Sequence, residues 1–168
     1  MGPVLRGWRM DDLDSLVRHA NNHNVWRNLR DRFPQPYTNV HGEEWLTRQS
    51  QAAEPLSNFV IDFEGNFAGG IGFERYDDVN RLTAEIGYWI AEPYWGRGLA
   101  TAALREATQY AFHYFDFERI QAAVFAWNVA SARVLEKSGY TLEARLRRNV
   151  IKNGEITDTL MYVRFRQG

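Results

Sequence analysis

One short segment, Trp95–Thr101, has the residue types of a phosphate-binding turn. Its glycines and alanine let ligand oxygens approach the backbone, because they carry little or no side chain. A helix that begins here would also offer free N–H groups and the positive end of its dipole. We therefore expect either a phosphate or pyrophosphate site or a simple tight turn. A nucleotide P-loop and a Rossmann fingerprint are excluded, since the Gly-Lys-Ser/Thr ending and the third glycine are missing.

Two predicted elements would hold this segment in place. Residues 98–114 carry apolar side chains at helical spacing and form the clearest helix of the chain. Residues 83–90 are predicted to form a strand. Alternation along this strand places two sets of side chains on opposite faces, namely Glu85, Gly87 and Trp89 against Ile86, Tyr88 and Ile90.

A further strand and a short helix follow the long helix. Residues 119–125 form an apolar run that is typical of a buried strand. Residues 130–137 predict a helix, and Gly139 stands where a left-handed C-terminal cap would fall. Asn128 and Ser131 stand at the start of this helix, where both residue types commonly hydrogen-bond to the backbone.

The rest of the chain predicts more strands and helices. Residues 4–8 read as a first strand, and helices begin after Asp11 or Asp12 and after Thr38 or Asn39. Residues 21–37 are loop-like, since they contain two prolines. Two hairpins are expected, 58–63 with 67–73 and 141–151 with 155–165, the second around an Asn-Gly turn. Strands that first pair antiparallel and then alternate with helices indicate a mixed α/β class.

Length and composition exclude several classes of protein. The 168 residues suit one domain, which we expect to span 1–168, and the net charge of -1 argues against a general nucleic-acid binder. The chain has no Cys, which excludes disulfides and a cysteine nucleophile. No signal peptide or membrane-length apolar run is present in the sequence, so we expect a cytoplasmic protein that does not bind membranes. The four His lack ligand spacing, and no metal is expected.

The C-terminal hairpin is rich in positive charge. Arg145, Arg147, Arg148 and Lys152 crowd its first strand. We interpret them as a solvated edge that resists aggregation, with a docking patch for an acidic protein or ribosomal RNA as the alternative.

Three blocks of the sequence resemble a known family. The segments are 84–90, 94–101 and 128–140, and the last of them reads Asn-x-x-Ser followed by Glu-Lys-x-Gly. In this order and spacing they resemble the GCN5-related N-acetyltransferases (GNAT), and specifically the RimJ/RimL-type branch that acetylates N-termini of ribosomal proteins. The resemblance extends from about Val4 to Phe165. It implies a GNAT fold, with a mixed, mostly antiparallel sheet, helices on both faces, and strands splayed at the centre by coenzyme A (CoA).

The resemblance also implies where acetyl-CoA binds. Backbone amides of about Arg97, Gly98, Leu99, Ala100 and Thr101 would hold the CoA pyrophosphate. The family pattern begins with Gln or Arg at the position of Trp95, a departure that matters little if main-chain N–H groups do the binding. The strand end at Trp89, Ile90 and Ala91 would leave backbone groups free for the pantetheine arm. Asn128 matches the family Asn that contacts this arm, whereas its residue type alone favours a helix N-cap.

Catalysis requires a neutral amine beside the thioester, a base for its proton and stabilisation of the departing thiolate. Glu85 resembles the acidic residue that this branch uses, and the alternatives are an arginine-paired carboxylate or a base that acts through water. Many relatives carry a Tyr at the position of Leu135, which has no proton to give. Ser131 is therefore the candidate partner of the leaving sulfur, and a helix-start cap is its other interpretation.

The resulting hypothesis is an N-acetyltransferase that acts by direct transfer in a ternary complex. The favoured acceptor is a protein N-terminal α-amine. The alternatives are a small amine, such as a polyamine, an amino acid or an aminoglycoside, and a sensor that binds acyl-CoA without turnover. We expect a monomer or homodimer and no nucleic-acid partner, although the basic hairpin leaves an RNA-binding module as a further alternative.

Overall fold

A seven-stranded sheet forms the centre of the computed structural model, which describes residues 1–168. Its strand order is β1-β2-β3-β4-β5-β7-β6, and only β4 and β5 pair in parallel. The strands are β1 (Val4–Arg6), β2 (Asn58–Phe63), β3 (Asn66–Arg75), β4 (Thr83–Ile90), β5 (Arg119–Phe125), β6 (Thr141–Lys152) and β7 (Glu155–Phe165). The expected mixed, mostly antiparallel sheet is confirmed.

Helices cover both faces of this sheet. They are α1 (Leu13–Ala20), α2 (His23–Trp26), α3 (Asn39–Ser50), α4 (Leu99–Tyr114) and α5 (Val129–Lys137). The long α4 packs its alanines and leucines against Ile71, Ile86 and Ile120 in the main core. On the other face, Leu16 of α1 and Leu46 of α3 enclose Val60 and Phe67 in a smaller core. None of the helices has both the length and the apolar character needed to cross a bilayer.

The parallel pair β4–β5 separates along its length. Thr83, Ala84 and Glu85 pair with Arg119, Ile120 and Gln121, and no further residues of the two strands are paired. Both strands nevertheless continue, β4 to Ile90 and β5 to Phe125, each held by its antiparallel neighbour on the outer side. A gap therefore opens between β4 and β5 at the centre of the sheet.

Several element boundaries differ from the sequence prediction. The first strand ends at Arg6 instead of residue 8, because Trp8 turns into the small core. The 21–37 region contains α2, whose N-cap Asn22 accepts hydrogen bonds from the N–H groups of Asn24 and Val25. This Asn supplies a local helix start that the two prolines obscured.

The interpretation of the C-terminal hairpin as a solvated edge is wrong for Lys152. Its side chain is 1% exposed, and its ammonium donates to Asp31 Oδ1 over 2.8 Å. The same ammonium lies 3.7 Å from the centre of the Trp26 ring. Arg145 also has a partner, since it pairs with Asp158. A distant loop therefore covers the end of β6, which local charge density does not reveal.

Candidate active site

Glu85 lies where the pairing of β4 and β5 ends, on the face covered by α1 and α3. Its carboxylate forms an ion pair with Arg30 and accepts a hydrogen bond of 2.6 Å from the Tyr76 hydroxyl. Gln121, the β5 residue level with Glu85, donates in turn to the Tyr76 oxygen over 3.2 Å. Both carboxylate oxygens thus have partners, and the side chain is 19% exposed. The arginine-paired carboxylate is present in the structure.

Arg30 reaches Glu85 because α2 is anchored beside the splayed strands. Glu92, just after β4, accepts hydrogen bonds from Asn22 (2.5 Å) and Asn24 (3.0 Å) at the start of α2. These two amides, Asn22 first, hold the pKa of Glu92 below its usual range. The loop after α2 is fixed a second time by Asn28, whose side-chain oxygen accepts from the Trp127 indole over 3.0 Å. The loop therefore closes over the Glu85 face of the gap.

Ser131 lies on the opposite face, in the first turn of α5. Its hydroxyl shares a hydrogen bond of 2.7 Å with the hydroxyl of Tyr88, which comes from β4. The Tyr88 hydroxyl also lies 3.3 Å from the Ser131 carbonyl oxygen, to which it can donate. Burial raises the pKa of Tyr88 to about 12, so its hydroxyl stays protonated at neutral pH. The sequence predicted the face of Tyr88 correctly, but not this contact.

The backbone of β4 offers hydrogen-bonding groups to the gap at alternate residues. The Thr83 carbonyl accepts a hydrogen bond from the Tyr76 N–H, on the β3 side. On the same side, the Ala91 N–H donates to the Ala68 carbonyl. In an antiparallel pair, the backbone N–H and carbonyl groups of alternate residues point to opposite sides of the strand. Those of the odd-numbered residues of β4 therefore point to β3, and those of Tyr88 and Ile90 point to the gap. The Ile90 carbonyl already accepts from the Trp95 indole over 2.7 Å.

This register corrects part of the expected pantetheine site. The backbone of Trp89 and the N–H of Ala91 are engaged with β3, and the Ala91 carbonyl accepts from the Tyr94 N–H, so these groups are not free for a ligand. The groups that face the gap are the N–H and carbonyl of Tyr88 and the N–H of Ile90. Side-chain alternation in the sequence does not show this, because it gives no direction for the backbone groups.

The start of α4 has the properties of an anion site. Gly98, its N-cap, has φ of 75° and supplies no capping side chain, and no acidic residue lies in the first turn. Gly96 also has φ of 75°, and a Cβ added at either glycine would meet nothing within 4 Å. The first N–H groups of the helix have no acceptor within the helix, and they lie at its positive end. These features fit a phosphate group.

The remaining predicted residues around this turn are placed as follows. Arg97 lies with its guanidinium 5.5 Å from the Tyr94 ring, while the Leu99 side chain is buried in the main core. Ala100 and Thr101 belong to the first turn of α4 with partly exposed side chains. The side chains of this group therefore share no common environment, and only its main-chain N–H groups could act together.

Asn128 and Leu135 both have structural roles in α5. The Asn128 side-chain oxygen accepts from the Ser131 N–H over 3.2 Å, so the helix-cap interpretation of Asn128 is confirmed. Leu135 is 0% exposed and belongs to the main core. A hydroxyl at this position would be buried in apolar surroundings, which is a second reason that Ser131 carries the polar contact on this helix.

A groove of about 370 Å³ lies between the loop after α2 and strands β5 to β7. Asn28, Asp31 and Asn149 give it polar walls, and Ala123 and Phe125 of β5 form part of its base. On β4, Gly87 follows Glu85 on the same face, is exposed, and would bring an added Cβ within 4 Å of no other atom. The Glu85 face thus has room for an acceptor molecule.

Arg30, Tyr76, Gln121 and Tyr88 are site residues that the sequence reading did not identify. Arg30 lies 55 positions from Glu85 in a segment with no periodicity, so no local signal marks it. For Tyr88 a signal existed, since it stands inside the block 84–90 and directly follows Gly87.

The comparisons with known proteins agree with this geometry. A family model described as "Acetyltransferase (GNAT) domain" matches residues 4–141. The chain belongs to the GNAT family, as the resemblance predicted. The N-acetyltransferase p20 of Bacillus licheniformis, itself uncharacterized, is 32% identical over 164 residues, which cover 95% of this chain and 90% of that protein.

Coverage is smaller for three other curated relatives. The chain spans about half the length of three Bacillus subtilis proteins that it matches, namely 54%, 40% and 52%. Two solved structures share the fold. RimL, a ribosomal L7/L12 alpha-N-protein acetyltransferase in complex with CoA, has a TM-score of 0.85 and 21% identity over 98% of this chain and 94% of that one. Vibrio cholerae spermidine N-acetyltransferase, in complex with CoA and spermine, has a TM-score of 0.81 and 23% identity over 97% and 95%.

Proposed function

We propose that this protein acetylates a protein N-terminal α-amine by direct transfer from acetyl-CoA. The observation that carries the proposal is the gap between β4 and β5, which has the Glu85 carboxylate on one face and the Ser131 hydroxyl on the other. An amine can enter from the Glu85 face while the thioester is held from the other. Acetyl-CoA supplies the activated acyl group, and the chain supplies position, a proton acceptor and hydrogen-bond donors.

The main chain holds the cosubstrate in this proposal. Backbone N–H groups from Arg97 to Thr101 bind the pyrophosphate at the start of α4. The gap-facing groups of Tyr88 and Ile90 bind the pantetheine amides as a neighbouring strand would. The Asn128 side chain has its oxygen occupied by the cap of α5, and its amide N–H groups remain as donors for the same arm.

Glu85 is the proposed proton acceptor for the ammonium group, directly or through one water. Its ion pair with Arg30 holds the carboxylate from one side. The Tyr76–Gln121 chain fixes the carboxylate from the β5 side. No Cys is present to carry the acetyl group, which agrees with attack by the amine on the thioester itself.

Ser131 is the proposed partner of the leaving sulfur. A hydroxyl is a weak acid, so its contribution is a hydrogen bond to the negative charge that develops on sulfur. Such a bond to a charged group contributes about 1.5–3 kcal/mol.

The acceptor is proposed from two observations. The branch resemblance and the fold shared with RimL favour a protein N-terminus. The groove of about 370 Å³ is lined by Arg30, the partner of Glu85, and by residues of β5, β6 and β7, and it offers room for a peptide chain. The fold shared with the spermidine enzyme supports a small amine as the second candidate. Further parts of the proposal are a cytoplasmic location, a monomer or homodimer, and no nucleic-acid partner.

Steady-state release of CoA with a panel of acceptors tests the proposal. The panel contains peptides with different N-terminal residues, the same peptides with blocked N-termini, spermidine, amino acids and an aminoglycoside. We expect turnover with free peptide N-termini and none with blocked ones, and double-reciprocal plots that intersect. Preference for a small amine would show that the acceptor is not a protein N-terminus. Parallel double-reciprocal plots would show an acetyl-enzyme intermediate in place of direct transfer. Binding of acetyl-CoA without turnover would show a sensor and not an enzyme.

A further inference from the structure

We infer that Tyr88 is a positioning residue that fixes the Ser131 hydroxyl for hydrogen bonding to the CoA sulfur. The inference rests on the proposed function of Ser131. The two hydroxyl oxygens are 2.7 Å apart and join β4 to α5 on the face opposite Glu85. This side-chain contact bridges the two elements at the level where β4 and β5 no longer share backbone hydrogen bonds.

In this inference, the Ser131 hydroxyl is the one that acts on the ligand. Ser131 has a short side chain at the start of α5, and its N–H is already bonded to Asn128. When Tyr88 donates to Ser131 Oγ over the shorter 2.7 Å distance, and not to the Ser131 carbonyl at 3.3 Å, the serine hydrogen has no acceptor in the pair and is free to point at a third atom. Two hydroxyls in series also polarise each other, which strengthens the terminal donor. No net proton transfer is involved, since the electron pair of the broken C–S bond stays on sulfur and the amine proton leaves toward Glu85.

Tyr88 suits this role because it does not ionise in the working range of the enzyme. Burial raises its pKa to about 12, so it remains a donor at neutral and mildly alkaline pH. Its main chain faces the gap as well, which couples the position of its ring to that of the pantetheine arm. Tyr88 is therefore the residue that connects the binding strand with the leaving-group helix.

The chain contains a matched control for this contact. Tyr140 and Thr108 share a hydrogen bond of 2.7 Å between hydroxyl oxygens, in the buried core between α4 and the end of α5. Tyr140→Phe removes a tyrosine hydroxyl from a partner hydroxyl, as Tyr88→Phe does, without touching the gap. The two variants should lose comparable thermal stability, and they should differ only in function.

The first measurement is binding of CoA relative to acetyl-CoA from pH 7 to 9.5 by calorimetry. A thiol such as that of cysteine titrates near pH 8.5, and a hydroxyl donor favours the thiolate. In the wild type and in Tyr140→Phe, we expect the ratio of the two affinities to rise with pH. In Tyr88→Phe and Ser131→Ala this rise should be several-fold smaller. Equal pH dependence in Tyr88→Phe and Tyr140→Phe overturns the inference.

The second measurement is kcat in a double-mutant cycle. Tyr88→Phe should lower kcat by about tenfold, as loss of one hydrogen bond implies. Because Tyr88 acts through Ser131, the double variant should be no slower than Ser131→Ala alone. Multiplicative losses would show that Tyr88 acts independently and would overturn the inference. Full kcat and unchanged pH dependence in Ser131→Ala would remove the proposed role of Ser131 and, with it, the basis for Tyr88.

Discussion

At the scale of single residues, the site is organised by pairs that restrain each reactive group. Glu85 is restrained by Arg30 and Tyr76, and Ser131 by Tyr88 and its own helix cap. Each pair holds a side chain in one orientation before a ligand arrives, and such preorganisation avoids reorganisation during the reaction.

Glu85→Gln tests the proton-accepting role. Gln keeps one oxygen that accepts from Arg30, and its amide N–H can only donate toward the Tyr76 oxygen. It cannot accept the ammonium proton, so kcat at neutral pH should fall by about 10²-fold or more. Part of the loss should return at high pH, where the free amine is abundant. The measurement is the pH–rate profile at saturating acetyl-CoA.

Glu74→Gln is the control for this substitution. Glu74 lies directly opposite Glu85 on β3 and forms an exposed ion pair with Arg32. It should leave kcat and its pH dependence unchanged. A wild-type pH–rate profile in Glu85→Gln would mean that this carboxylate serves only to hold Arg30.

At the scale of elements, the start of α4 depends on backbone conformation more than on side chains. Gly98 adopts the left-handed conformation that side chains disfavour, and a residue with a Cβ costs about 1–2 kcal/mol there. The turn is therefore suited to glycine even without a ligand. Binding and conformational cost must be separated by a control that has the same strain.

Gly98→Ala compared with Gly65→Ala provides that separation. Gly65 has φ of 79° in the β2–β3 turn, and an added Cβ there meets nothing within 4 Å, as at Gly98. Both variants should lose a similar 1–2 kcal/mol of unfolding free energy. Only Gly98→Ala should weaken acetyl-CoA binding, by about tenfold or more if one charged hydrogen bond is lost. Equal calorimetric affinity in the two variants would leave this turn with a structural role alone.

At the scale of the whole molecule, the loop after α2 is held across the sheet by the end of β6. The Asp31–Lys152 ion pair joins residues 121 positions apart, with Lys152 buried over Trp26 and Asp31 exposed. Burial of one partner makes the pair asymmetric. Removal of the exposed carboxylate leaves a buried ammonium without its acceptor, whereas removal of the ammonium leaves a carboxylate in water.

Asp31→Ala should therefore cost more stability than Lys152→Met. We expect the first to lower the free energy of unfolding by about 1–3 kcal/mol, as for a buried donor left unsatisfied. The second keeps a similar volume over Trp26 and should cost less than about 1.5 kcal/mol. Urea unfolding of both variants measures the difference. The reverse order would show that the Lys152 ammonium gains little from Asp31.

The amino-acid sequence by itself determined the local features of this protein. Apolar spacing located α4 and α5, Gly65 and the Asn153-Gly154 pair located two hairpins, and the motif blocks indicated the family. These features depend on neighbouring residues, whose spacing is directly visible in the chain. The expectation of one domain over residues 1–168 stays a prediction.

The tertiary structure alone decided which groups meet at the site. The Arg30–Glu85, Tyr88–Ser131 and Asp31–Lys152 contacts join residues 55, 43 and 121 positions apart. The register of β4 against β3, and not the side-chain pattern, directed the backbone of Tyr88 and Ile90 toward the gap. Strand order, register and the point where two strands part depend on the packing of distant elements. Periodicity within one segment carries no information about them.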